Sequence, residues 1–292
     1  MAENKRFFYG WLILLTCILI MGLGYAPLVS CASLFTKPVT EDLGFTRSGY
    51  ALVSTIAALM MAFMSPFIGK IMSKPYMHKA LVVCMIGNCL AYYCYSFAST
   101  LPQFYVTAAC IGFFECGSTM IPVSVLITNW FRKKRGLVMS IAMVGSSIGG
   151  TILSPIIGNL IASQGWRFTY KAVGITRLVI LVPLVLLVIR RTPADMGTKA
   201  YGADEEGETG KARKTEREWN VSLKEVKKKP MFWCFVLGCT LISATAAVIT
   251  QIPASVMDAG YATTTAASIA SLYLFIAIPG KLVLGHIYDR YG

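Results

Sequence analysis

Charge is what this chain has least of, and negative charge above all. Asp and Glu together supply 14 of 292 residues and His only 2, against 27 Lys and Arg. That scarcity excludes several chemistries. His78 and His286 form no close Cys–His grouping with zinc-ligand spacing, and H-E-x-x-H does not occur. The phosphate loop G-x4-G-K-[ST] is missing as well, since the lysines that follow glycine (Lys70, Lys211 and Lys281) precede Ile71, Ala212 and Leu282. ATP-driven pumping and zinc proteolysis therefore have no motif to rest on. The expectation is no enzyme, no cofactor and no metal. Nor are the basic residues interleaved with aromatics in a soluble patch, so nucleic acid is not an expected partner.

What is present instead is long apolar sequence, with 55% hydrophobic residues and 14% charged. Charge-free runs cover Phe7 to Thr36, Ser48 to Gly69, Ala80 to Phe114, Gly136 to Trp166, Pro230 to Met257 and Ala259 to Gly280. A helix needs about 20 apolar residues to cross a bilayer core. The runs are long and do not alternate, which argues helices rather than barrel strands. Eight spans are predicted: Tyr9 to Leu34, Gly49 to Ile71, Lys79 to Phe97, Pro102 to Asn129, Gly136 to Ile161, Phe168 to Ile189, Pro230 to Met257 and Thr263 to Tyr288. The turn residues from Ser96 to Pro102 divide the third from the fourth. The first run exceeds the apolar core of a signal peptide and is read as the first span. All nine cysteines fall within spans, where they are expected as free thiols filling the core.

Orientation follows from the connections. With the N-terminus inside, the inner segments collect Lys5, Arg6, Lys70, Lys74, Lys79, Arg132 to Arg135, every basic residue from Arg190 to Lys229, and Arg290. The outer loops hold only Lys37, Arg47, Arg167 and Lys171. This is the positive-inside asymmetry, and it places the N-terminus in the cytoplasm of a multi-pass cell-membrane protein. The formal charge of +13 then reports topology and contact with anionic lipid.

Between Arg190 and Lys229 the composition changes to a charged linker, with acids bunched from Asp204 to Glu208. It reads as solvated and mobile around Gly197 to Gly210, with a short amphipathic helix from Val221 to Lys229. The sequences on either side echo each other. Phe8-Tyr9-Gly10-Trp11 opens the first span and Met231-Phe232-Trp233 the seventh; Gly69 to Lys74 follows the second and Gly285 to Arg290 the eighth. Six spans, a charged loop and a restart indicate a transporter of two parallel six-helix halves. The expected divisions are 1–189 for the first half, 190–229 for the linker and 230–292 for the first two helices of an incomplete second half. On that reading about four more spans belong to the full-length protein, and the chain is a fragment or a truncated gene product.

Several motifs occur in a telling order. Trp130-Phe131-Arg132-Lys133-Lys134-Arg135-Gly136 opens the fifth span, followed by Gly145-x3-Gly149-Gly150 and Gly165-Trp166-Arg167. Arg191-Thr192-Pro193-Ala194-Asp195-Met196-Gly197 follows the sixth span, and Gly285-x3-Asp289-Arg290-x-Gly292 the eighth. In this order the chain resembles the N-terminal two-thirds of a major facilitator superfamily transporter, of the monocarboxylate and oxalate–formate exchanger-like branch. The resemblance implies an all-α membrane bundle with about eight of twelve helices present. Gly145, Gly149 and Gly150 are read as helix-packing residues that let backbones approach where halves rock. Gly285, Asp289, Arg290 and Gly292 are read as a cytoplasmic gating motif, with Asp289-Arg290 able to latch the inward face by charge-assisted hydrogen bonds. Its first-half counterpart, Ser73-Lys74, has no acid.

Three ionisable residues within spans are candidate substrate-binding residues, because intramembrane charge is costly and usually functional. Glu115 lies in the fourth span and shares a helical face with Gly112, Thr119 and Pro122. Burial disfavours the charged form of a carboxyl, which would suit it to carry a proton. Lys281 stands four residues before Gly285, where the branch places a carboxylate-binding arginine; the branch's nearby acid is here Ala277, and its first-span lysine is here Leu28. Arg177 lies near the outer third of the sixth span. A structural ion pair at Glu115 and snorkelling of Lys281 to the interface are the plainer alternatives. The expected function is secondary active transport of a small, monocarboxylate-like organic anion by alternating access, coupled to H+ or exchanged for another anion. The other readings are a non-transporting sensor or receptor on the same scaffold, or an inactive fragment. The expected partners are the anion, H+ and the lipid bilayer.

Overall fold

The structure, a computed structural model, describes residues 8–202 and 223–291. Gly292, the acidic stretch from Asp204 to Glu208 and the start of the expected amphipathic helix at Val221 lie outside the described residues. Of that helix, one turn is described, α9 at Leu223–Val226.

Among the described residues, seven helical segments are long and apolar enough to cross a membrane. The first is built from α1 (Gly10–Leu19), a π-helical stretch (Ile20–Tyr25), α2 (Ala26–Val29), a 3-10 turn (Ala32–Phe35) and α3 (Thr36–Leu43). It therefore runs past the expected end at Leu34, because α3 continues until Gly44 turns left-handed at φ 66°. The second span is α4 (Arg47–Met72), started by the Thr46 side chain, which accepts from the Gly49 amide at 3.2 Å. The third is α5 (Met77–Cys94). The fourth starts at a Thr100–Gln103 capping box and is divided into α6 (Leu101–Ser118) and α7 (Met120–Trp130).

Next comes α8 (Arg135–Val188), 54 residues long. At about 1.5 Å per residue a straight helix of that length would far exceed one bilayer crossing. The chain instead reverses at Gly165, where φ is 79° and ψ 166°, a conformation that favours glycine. The break makes two spans of α8 and eight passes among the described residues, and it falls inside the expected Gly165-Trp166-Arg167 motif. Trp166 donates from Nε1 to Asp42 at 3.0 Å. Arg167 lies 4.3 Å from the Trp166 ring centroid and donates to the Ser96 and Ala98 carbonyls. The motif thus ties this turn to the turn between spans three and four. Then α10 (Pro230–Thr250) and α11 (Ile252–Asp258) form the seventh span, and α12 (Thr263–Tyr291) the eighth.

The first six spans bury two apolar clusters, one toward each end, the second completed by Met257 of α11 and Ala266 and Ala267 of α12. Toward the basic loops lie Ile13, Cys17, Leu126, Trp130, Phe131 and Val185. Toward the opposite end lie aromatic residues, with Phe35 stacked on Tyr170 at 4.1 Å and Tyr95 on Phe104 at 5.5 Å. The linker is not free at its start. Tyr201 donates its amide to the Trp130 carbonyl at 2.9 Å, and its carbonyl accepts from Arg132 at 3.0 Å. Trp130 Nε1 reaches the Arg190 carbonyl at 3.0 Å, and a Thr192–Asp195 capping box fixes the turn between them. Residues 197–202, expected to be mobile, are thus held against the fifth span's opening motif.

Candidate functional site

Spans one and four break at one level, and each break has a cause in sequence. Pro122 has no amide hydrogen for the Ser118 carbonyl four residues earlier, and the backbone at Thr119 departs from helix at φ −124°, ψ −94°. Pro27 likewise cannot bond Leu23, and the preceding turn widens into the π-helical stretch. A Cβ added at Gly24 would meet the Thr119 methyl at 3.4 Å, so the two breaks touch.

A buried polar network occupies this level. Glu115 is 4% exposed, Thr119 1%, Asn88 0% and Arg177 1%. The Glu115 carboxyl accepts from the Thr119 hydroxyl at 3.0 Å on Oε1 and from Asn88 Nδ2 at 2.8 Å on Oε2. The same asparagine, through Oδ1, accepts from Arg177 Nη2, which also donates to the Gly24 carbonyl at 2.9 Å. The guanidinium lies 5.0 Å from the centroid of the Tyr92 ring. Its Nε and Nη1 are buried with no hydrogen-bond partner among the described residues. Glu115 and Arg177, two of the residues singled out from sequence, thus belong to one cluster drawn from spans one, three, four and six. Asn88 was missed. Its signal is a lone amide in the charge-free third span, which is costly to bury unless bonded. Beside Arg177, an apolar crevice of about 220 Å3 runs between the first span and the two arms of α8, lined by Leu23, Pro27, Leu153, Ile157 and Val173.

Lys281 stands apart from this network. Its ammonium neither snorkels to a helix end nor reaches Glu115; it donates to the Ser146 hydroxyl at 2.8 Å and to the Met143 carbonyl at 3.1 Å, both in the fifth span. Around it α12 packs on α8. A Cβ at Gly150 would collide with Leu274, one at Gly158 with Ala267, and Ser271 donates to the Thr151 carbonyl at 2.6 Å. Ala277, where the branch has an acid, leaves Lys281 without a carboxylate one turn away.

Gly145 and Gly149 bring backbones together between the first and fifth spans, within the first six-helix half and not between halves. An added Cβ at Gly145 would strike the Ile18 carbonyl, and one at Gly149 the backbone of Gly22. At the basic end, Asp289 caps α8 from another helix: its carboxylate accepts from the Gly136 and Leu137 amides, each at 2.8 Å. A negative charge at a helix N-terminus is stabilising both as acceptor and against the macrodipole. Gly285 makes room for the approach, since a side chain there would strike Ser140. Arg290 lies beside it in the last turn of α12. At the first-half counterpart the Ser73 carbonyl accepts from Arg191 at 2.8 Å, so a linker arginine holds the loop that lacks the acid. At the opposite end Arg47 pairs with Asp258, and Lys37 donates to the Met257 carbonyl at 2.7 Å. Asp289→Asn should weaken the basic-end contact by roughly 1 kcal/mol. A cysteine introduced at Ser140 should then react with maleimide several-fold faster; an unchanged rate would mean the contact carries no closing energy.

Broken spans around a buried charged layer, with helix-end contacts on both sides, suit a carrier. Residues 12–292 match the family model described as Major Facilitator Superfamily, and the chain belongs to that family. Among similar proteins, monocarboxylate transporter 2 of Homo sapiens is 24% identical over 229 residues, covering 77% of this chain and 45% of the relative. The MFS-type transporter pytF of Aspergillus terreus is 26% identical over 209 residues, covering 71% of this chain and 62% of the relative. A bacterial homologue of the human lysosomal transporter Spinster, solved inward-facing and unoccupied, shares the fold with a TM-score of 0.74 at 17% identity. That match covers 99% of this chain and 65% of the solved one. The chain spans about half to two-thirds of the length of these proteins.

Proposed function

We propose that the full-length protein is a secondary active transporter of a small organic anion, monocarboxylate-like, working by alternating access. Transport is coupled to H+ or to exchange for another anion, and no enzymatic step is involved. The observation that carries this reading is the layer at the two helix breaks. It holds a buried carboxyl that can exchange a proton and a buried guanidinium with two unpartnered donors. Discontinuous spans near mid-membrane are where secondary transporters place their ligands, and the apolar crevice beside Arg177 suits a short carbon skeleton. The relatives' names supply the substrate class. Residues 1–189 serve as one rocking half and 230–292 as the start of the other, joined by 190–229.

Lys281 is the second anion contact in this proposal. Its ammonium is held by Ser146 and Met143, so a carboxylate must draw it away from the fifth span. A neutral replacement removes a charge-assisted contact worth about 1.5–3 kcal/mol, or about ten- to hundred-fold in affinity. Binding of labelled lactate to the full-length protein should weaken by that factor in Lys281→Gln and be retained in Lys281→Arg, whose fork suits a carboxylate. If the glutamine variant binds as tightly as the parent, Lys281 only fastens α12 to α8.

The same proposal puts the N-terminus and the 190–229 linker in the cytoplasm of cells whose plasma or inner membrane holds the protein. In a thiol-free background, a cysteine at Thr209 should be protected from impermeant reagents in intact cells, and one at Thr100 should be labelled. The reverse pattern would overturn the topology.

A further inference from the structure

We propose that Asn88 is a positioning residue that holds Arg177 and Glu115 apart, so that the guanidinium stays available to an anion and the carboxyl to a proton. The inference deepens the proposed transport mechanism and rests on its assignment of Glu115 and Arg177.

The geometry points in one direction. Asn88 accepts from Arg177 through Oδ1 and donates to Glu115 through Nδ2 at 2.8 Å. Of the neutral side chains, an amide can accept from a cation on one side and donate to a carboxylate on the other. The described residues include no ion pair between Arg177 and Glu115; the salt bridges found lie elsewhere, at Lys37–Glu41 and Arg47–Asp258. Yet both groups are buried in one layer, and a guanidinium and a carboxylate in a dry interior attract strongly. Direct pairing would satisfy both charges at once, tying up the guanidinium edge an anion needs and holding the carboxylate ionised. The interposed amide prevents this while keeping both groups bonded. Three further anchors keep the arrangement from collapsing: the Gly24 carbonyl on Nη2, the Tyr92 ring beside the guanidinium, and the Thr119 hydroxyl on Oε1. Two of them, Gly24 and Thr119, lie at the helix breaks. A change in the charge of Glu115 is therefore felt at both hinges through hydrogen bonds already made.

Glu115 is faced by Arg177 from the sixth span, by Tyr25 from the first and by Cys89 from the third, with Cys116 next to it in the fourth. Arg177 is the cation among them, so it decides the response when Asn88 is shortened.

The test is an infrared titration of the Glu115 carboxyl in purified full-length protein, its band assigned by its loss in Glu115→Gln. A spacer and a simple hydrogen-bond donor give opposite signs. If Asn88 only donates to the carboxylate, Asn88→Ala removes a partner of the charged form, and the titration midpoint rises. If Asn88 is a spacer, Arg177 closes on Glu115, and the midpoint falls by about one pH unit or more. The double variant Asn88→Ala/Arg177→Gln should lose that fall. Asn88→Ser, too short to span the gap, serves where the alanine variant does not purify. A midpoint that rises or stays fixed, or a fall that survives removal of Arg177, overturns the proposal. The readout needs no substrate. Failure of the transport reading is seen separately, as unaltered lactate binding in Arg177→Gln.

Discussion

Glu115→Gln is expected to abolish uphill accumulation of a monocarboxylate by the full-length protein. Glutamine is nearly isosteric: its single amide oxygen can accept from Asn88 in place of the 2.8 Å bond, and its amide nitrogen can donate to the Thr119 hydroxyl, which already donates to the residue-115 carbonyl at 3.0 Å, so the network is retained in shape. What it loses is the exchangeable proton. One pH unit across the membrane is worth about 1.4 kcal/mol, enough for roughly ten-fold accumulation at one proton per anion. In proteoliposomes with an alkaline interior, the parent should approach that ratio with labelled lactate. The glutamine variant should equilibrate near unity while purifying in similar yield. Equal accumulation by both would make Glu115 a structural acid, the plainer reading of its burial.

The second large effect is expected at the crossing of the first and fifth spans. Gly149→Val places a branched side chain where even a Cβ collides with the Gly22 backbone. Backbone cannot swing aside as a side-chain tip can, so the cost should reach about 3 kcal/mol, the upper end for overpacking. Gly69→Ala is the control, because a Cβ there meets nothing within 4 Å. The valine variant should show a clear drop in melting midpoint or fail to purify folded, and the alanine variant should match the parent. If Gly149→Val melts with the parent, the spans do not approach as closely as described.

How much of this was legible beforehand differs by element. The spans were, because apolar runs of bilayer length have few other uses; the main departures are the helix that persists past Leu34 into α3 and the break of the fourth span at Thr119, while Gly165 divides α8 within the expected gap between Ile161 and Phe168. Glu115 and Arg177 stood out as ions inside charge-free sequence. Their meeting did not, since it depends on tertiary packing that brings the sixth span beside the third. Asn88 was hidden by its neutrality: one amide among Cys, Gly and Leu carries no pattern, and only its two opposite hydrogen bonds reveal it. The breaks at Thr119 and in the π-helical stretch were readable in principle, since Pro122 and Pro27 each remove a bond four residues back. The role of Asp289 was half legible. The acid and its spacing to Gly285 were apparent, but its partners are backbone amides of α8, which no side-chain motif encodes. Lys281 shows the limit of spacing, which sets it four residues before Gly285 but cannot say whether its ammonium meets a cavity or, as here, the fifth span at Ser146 and Met143.

The central claim is that a small organic anion binds at the charged layer where spans one and four break, with Arg177 as its cation. Its most direct test is equilibrium binding of labelled lactate, pyruvate and oxalate to the purified full-length protein, comparing Arg177→Gln with the parent. Binding of at least one of these anions by the parent, weakened ten-fold or more in the variant, is the expected result. Undiminished binding by Arg177→Gln, or no binding of any of the three by the parent, would contradict it.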